Sequence, residues 1–167
     1  MPRAGFAEIL RLLARSEVEF VVVGMTAGVL QGAPATTLDV DVVHRRSPEN
    51  VARLLAALRQ LAAVYRHDAR GLSPSESHLM SPGHQLLRTS FGDLDCLGTI
   101  DEGRGYEELL PLTATIGLGG GVTIRVLTLE ALIEAKERSG RPKDLAMLPL
   151  LRAALDELRL HPIPPID

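Results

Sequence analysis

Two aspartates, Asp39 and Asp41, stand one residue apart inside LDVDVV (38–43), a run that is otherwise apolar and rich in β-branched residues. On a strand, side chains two apart share a face, with their Cα atoms about 7 Å apart. Leu38, Val40 and Val42 then take the opposite face and can enter a core. Two carboxylates this close repel, and one is pushed toward protonation unless a cation offsets them. The pair is therefore either a solvated strand end or the holder of a cation. Magnesium suits such donors, because it takes oxygen ligands from one or two carboxylates together with substrate phosphates.

A third acid bears on that choice. Asp95, in GDLDCLG, has a similar apolar strand context and can lie beside the first pair. Three acids on adjacent strands are what two-metal phosphoryl and nucleotidyl transfer requires: one ion activates the attacking oxygen, the other clamps the phosphates and leaving group. Asp93 competes with Asp95, although its place after Gly92 assigns it to a tight turn. Upstream, EFVVVG (19–24) reads as a buried strand ended by Gly24, followed by a short helix. Backbone amides at such a helix start can receive a phosphate, in a pattern common to many α/β proteins.

Other reactive side chains fit no arrangement. The histidines, at 44, 67, 78, 84 and 161, lack metal-ligand spacing, and His44 reads as a surface residue beyond the acid strand. Cys96 alternates with Asp95 and belongs to the core. Ser73, Ser75, Ser77 and Ser81 sit in a polar tract with no nucleophile-elbow pattern, so a hydrolase triad has no support.

The elements that must position these acids follow from periodicity. Residues 3–15 place Phe6, Ile9, Leu10, Leu12 and Leu13 at helical spacing. Gly32 and Pro34 separate a short helix at 25–31 from the acid strand. Ser47-Pro48 opens a helix through NVARLLAALRQLAAV. Residues 66–83 form a polar, turn-rich loop expected to be mobile. HQLLRTSFG and DLDCLGTI read as a hairpin turning at Gly92-Asp93, and TATIGL with VTIRVLT as a second one around Gly119–Gly121. Thr128 caps a helix to Gly140, and a last helix, roughly 142–159, carries Leu145, Leu148, Leu151, Leu155 and Leu158 on one stripe. The expected architecture is α+β in a single domain, residues 1–167, with a mixed sheet and C-terminal helices.

Composition narrows the setting. At 167 residues and 46% hydrophobic content the chain can bury a substantial core. Aromatics are only 3% and the net charge is −3, which disfavours base-stacking platforms and broad electrostatic binding to nucleic acid. A basic edge from Arg138, Arg141 and Lys143 keeps RNA open. Cys96 is the single cysteine, so an intrachain disulfide is excluded. The N-terminus has charges where a signal peptide is apolar, and no window suits a membrane span. A cytoplasmic protein is expected.

The string VVVGMTAGVLQGAPATTLDVDVV resembles the core of the polymerase-beta-like nucleotidyltransferase superfamily, in which a Gly-Gly or Gly-Ser at a helix start precedes an acid pair on the next strand. FGDLDCLGTI resembles the strand of the third acid, with Asp95 in the matching place. VLTLEALIEAKERSGRPKD resembles the C-terminal signature of small bacterial members, some of them toxins of toxin–antitoxin or abortive-infection systems. The three motifs occur in order over residues 20–160.

The resemblance implies a nucleotidyltransferase-like mixed β-sheet flanked by helices. It implies Mg2+ or Mn2+ on Asp39, Asp41 and Asp95, and an NTP such as ATP as substrate. Gly24, Met25, Thr37 and Lys136 would line the nucleotide, and Asp95 would help the acceptor hydroxyl lose its proton. The acceptor, whether tRNA, protein or small molecule, and any antitoxin partner are left open. Two departures stand out. Met25 replaces the second Gly or Ser, and Ala35 replaces an Arg of the Arg-x-Thr-x-Asp-x-Asp pattern, while Thr37 is kept. They leave room for a non-catalytic binding module on the same fold. Lys136 either reaches the phosphates, as the resemblance implies, or pairs with a neighbouring Glu. Asp144 reads as a helix-start acid that anchors one helix to the other.

Overall fold

A computed structural model describes residues 4–162 and 164. The chain runs α1 (Ala4–Arg15), β1 (Phe20–Val23), α2 (Gly24–Leu30), β2 (Asp39–His44), α3 (Pro48–Gln60), β3 (Val64–Tyr65), α4 (Glu76–Met80) and β4 (His84–Thr89). It continues with β5 (Gly92–Leu97), α5 (Tyr106–Leu109), a 3-10 turn at Leu110–Leu112, β6 (Thr113–Gly119), β7 (Val122–Leu127), α6 (Leu129–Ser139) and α7 (Pro142–Leu160). The strands form one mixed sheet in the order β3-β4-β5-β2-β1-β7-β6. The contacts of β1 with β7 and of β2 with β5 are parallel, and the rest are antiparallel. The α+β architecture expected from the sequence is therefore the one observed.

Local chemistry explains the central elements. The β-branched run of β1 is buried along its whole length, as a strand between two partners should be. In β2, Val40 and Val42 are fully buried, so the alternating acids are turned to the other face. On α1, Phe6, Ile9, Leu10 and Leu13 form the buried stripe. The Ser47 hydroxyl accepts from the Asn50 N–H at 3.2 Å to cap α3, with Pro48 in its first turn. Thr128 caps α6 in the same way, and Gly140, at φ 62, ends it. Each fully buried leucine, such as Leu54 or Leu94, contributes about 1.5–3 kcal/mol through lost water contact.

Three boundaries differ from the sequence expectation. The hairpin between β4 and β5 turns at Ser90-Phe91, with Thr89 paired to Gly92, and not at Gly92-Asp93. The Thr89 hydroxyl closes that turn, donating to Gly92 O at 2.7 Å and accepting from the Phe91 N–H at 3.1 Å. Asp93 is consequently a strand residue. The α3 helix stops at Gln60; Ala62 adopts φ 53, and Val64-Tyr65 leave as the short edge strand β3. Residues 66–83 are not a featureless loop, because Leu79 of α4 is fully buried and pins the segment to the core. No helix among the described residues is long and apolar enough to cross a membrane.

Candidate active site

Register brings the acids together. The parallel pairing of β2 and β5 sets Asp39 opposite Asp93 and Asp41 opposite Asp95. One carboxylate oxygen from each of Asp39, Asp41 and Asp95 lies within 4.8 Å of the others. Asp95 is buried, while Asp39 and Asp41 are half-buried, so the site is walled yet reachable. Three hard oxygen donors at this spacing fit a Mg2+ or Mn2+ ion.

The electrostatics agree with that fit. Burial, then the charges of Asp39 and Asp95, pushes the Asp41 carboxyl up to about 8. Burial and the Asp95 charge also raise Asp39, and Arg66 works against that rise. Two carboxylates both raised above their ordinary range mark a site short of positive charge.

Backbone contacts fix the strand that carries the pair. The hydroxyls of Thr26 and Thr37 both donate to Asp39 O, at 2.8 and 3.0 Å. The Thr37 hydroxyl is thus engaged with the backbone where β2 begins. Gly24, at φ +64, begins α2 directly against Asp41: a Cβ here would fall on Asp41 Oδ2. Glycine is therefore required on two counts, conformation and approach. The half-buried Met25 side chain packs against the core, with its Cε over Gly28.

A cavity of about 230 Å³ opens beside Asp41 and is also lined by Gly24, Lys136, Arg141 and Asp144. Lys136 Nζ lies 3.2 Å from Asp144 Oδ1, an ion pair joining α6 to α7 instead of a link to a glutamate on its own helix. The Ser139 hydroxyl, then Lys136 and Arg141, hold the Asp144 carboxyl down to about 2. Asp144 thus ties the two helices together, as its position suggested, and it does so at the cavity wall.

Among the remaining reactive side chains, His44 departs from its expected place and Cys96 keeps it. His44 is 1% exposed and not on the surface; its Nε2 is 2.7 Å from Leu79 O, and burial lowers its pKa. Cys96 is fully buried on the apolar face, and burial pushes its thiol pKa up. His67, His78 and His84, scattered in the sequence, meet in a second cavity of about 450 Å³ with Leu86, which pairs with Asp95 across the sheet.

The residue that sequence reading missed is Arg66. Its Nη1 donates to Asp95 Oδ1 and to Leu87 O, both at 3.0 Å, and lies 3.7 Å from Asp93 Oδ2. Nothing in the YRHDAR stretch ties an arginine to an acid 29 positions later. Its one signal is its place directly after the Val64-Tyr65 pair.

No family model and no curated protein matches the chain. Solved structures do share its fold. TM1012 of Thermotoga maritima, proposed to be a nucleotidyltransferase, superposes with a TM-score of 0.58 at 21% identity, covering 94% of this chain and 96% of that one. The lincosamide antibiotic adenylyltransferase LnuA, in its lincomycin-bound form, gives 0.61 at 14% identity, covering 92% and 98%. ANT(2")-Ia in complex with adenylyl-2"-tobramycin gives 0.58 at 16% identity, covering 93% and 91%. At these identities the likeness establishes the fold shared with nucleotidyltransferases.

Proposed function

We propose that this chain is a member of the polymerase-beta-like nucleotidyltransferase superfamily. Its reaction is transfer of a nucleoside monophosphate from an NTP to an acceptor hydroxyl. The observation that carries this reading is the convergence of Asp39, Asp41 and Asp95 on one sheet face, beside a cavity that starts at Gly24. The acceptor oxygen forms a bond to the α-phosphorus, the bond from that phosphorus to the leaving oxygen breaks, and pyrophosphate departs. The hydroxyl proton passes to Asp95, whose other oxygen Arg66 holds in place.

Asp39, Asp41 and Asp95 would hold Mg2+ or Mn2+, which when bound offsets the charge of phosphates and leaving group. Gly24 lets Asp41 lie directly against the start of α2 at the cavity, and Met25 contributes its backbone amide to the phosphates there while its side chain stays packed. Lys136 serves as a point charge on the phosphates once they draw it from Asp144. Thr37 acts on the nucleotide indirectly, by holding the start of β2.

ATP is the favoured nucleotide, because LnuA and ANT(2")-Ia are adenylyl-transferring proteins. Their antibiotic ligands favour a small-molecule hydroxyl as acceptor over tRNA or protein. A toxin–antitoxin role rests on the C-terminal motif alone. A binding module without turnover is the weaker reading, since all three acids and Gly24 are in place.

The test is incubation with ATP labelled at the α- or γ-phosphate, Mg2+, and panels of lincosamides, aminoglycosides, tRNA and protein. The expected result is α-label on one acceptor with release of pyrophosphate. Release of γ-phosphate alone, or no transfer to any class, would count against the reading.

A further inference from the structure

The face that carries the three acids also carries a fixed positive charge, Arg66, whose effect on cation binding goes beyond its positioning of Asp95. The Arg66 backbone N–H donates to Leu86 O at 3.0 Å. Its Nη1 is anchored by Leu87 O and Asp95 Oδ1, and its side chain is only 13% exposed. Held at both ends, this guanidinium leaves Asp95 only by giving up a part-buried hydrogen bond to backbone. Its charge is also placed unevenly. It lies against Asp93 and Asp95, whereas among the described residues no lysine or arginine forms an ion pair with Asp39 or Asp41. Arg66 acts on Asp39 and Asp41, and Lys143 on Asp39, only through space and without contact, so the Asp39–Asp41 end, on β2, is the less neutralised one. A divalent ion about 5 Å from a guanidinium binds roughly tenfold more weakly even with water-like screening, and more so in a walled site.

We propose that Arg66 takes the charge of a second cation at the Asp93–Asp95 end of the cluster, so that the nucleotide-free protein holds one divalent ion, at the Asp39–Asp41 end. This rests on the metal-holding reading of the site. It makes cation loading stepwise: any second ion enters only with the negative charge of the phosphates, which offsets Arg66.

The test is titration with Mn2+ alone, counting bound ions by the resonance signal of the free ion. Wild type is expected to bind one Mn2+. Arg66→Gln, which keeps hydrogen-bonding capacity without the charge, should bind a second ion or hold the first at least tenfold more tightly. Arg66→Lys should behave as wild type, and the Asp39→Asn/Asp41→Asn double variant should bind none. Two ions on wild type, or wild-type count and affinity in Arg66→Gln, would overturn the proposal. Arg66→Met is the second neutral variant should Arg66→Gln fail to fold, and the wild-type count decides if neither folds. No binding by wild type would remove the metal reading and this proposal with it, whereas unchanged binding in Arg66→Gln would remove the proposal alone.

Discussion

On one face of β2 and β5, Val40, Val42, Leu94 and Cys96 are fully buried; on the other, Asp39, Asp41, Asp93 and Asp95 gather four acids against one guanidinium. The same two strands make both faces, because side chains alternate along a strand. The apolar face gains free energy on folding. The acid face gives some back, since like charges are brought together and part-desolvated. Stability and the candidate site are thus coupled through single backbone positions. A register slip of one residue would bury the acids and expose the valines.

Leu94→Ala should show the largest effect on stability. It removes a fully buried side chain between Asp93 and Asp95 and should cost about 2–5 kcal/mol, measured by urea unfolding. Metal binding, read on the folded fraction, should weaken too, because the cavity loosens β5 beneath Asp95. A cost well below 1 kcal/mol would mean that the apolar face does not hold the acids in place.

Asp41→Asn should act on stability in the opposite sense, and only at higher pH. The folded-state pKa of Asp41 is raised to about 8, so its stabilising, protonated form is fully present below about pH 4 and is lost as pH rises to about 8. In metal-free buffer, wild type should lose stability across that window relative to Asp41→Asn. The variant should be the more stable of the two at pH 8 and no more stable than wild type at pH 4. Buried, neutral His44 favours folding as pH rises, but equally in both proteins, so the difference reports Asp41 together with the neighbouring acids whose charges act on it. Thermal melts from pH 4 to 9 measure it. Parallel curves for the two proteins would contradict the strained-acid description.

This contrast also explains what was readable from sequence. The period-2 pattern of LDVDVV announced the two faces of β2 from Asp39 to Val42, but not Leu38, which lies before the strand and is 69% exposed instead of entering the core. GDLDCLG announced Asp95 and its buried neighbours. The mixed sheet and its closing helices followed from β-branched runs, caps and glycines. Arg66 and the cavity histidines were not legible, because edge pairing and a single buried anchor, Leu79, place them, and neither has a period. Asp93 was misplaced by one side chain: the Thr89 hydroxyl, not Gly92, closes the hairpin. His44 was misread because a histidine ending a buried strand carries no mark of its burial.

The most direct test of the central claim is calorimetric titration of ATP and the other NTPs into the protein, with and without Mg2+ or Mn2+, beside Asp41→Asn. Nucleotide binding should require the ion and weaken by about a hundredfold or more in Asp41→Asn, exceeding the usual loss for a residue that only supports a metal ligand. Binding that is indifferent to the ion and to Asp41, or absent under every condition, would contradict the assignment of this acid face to metal-dependent nucleotide chemistry.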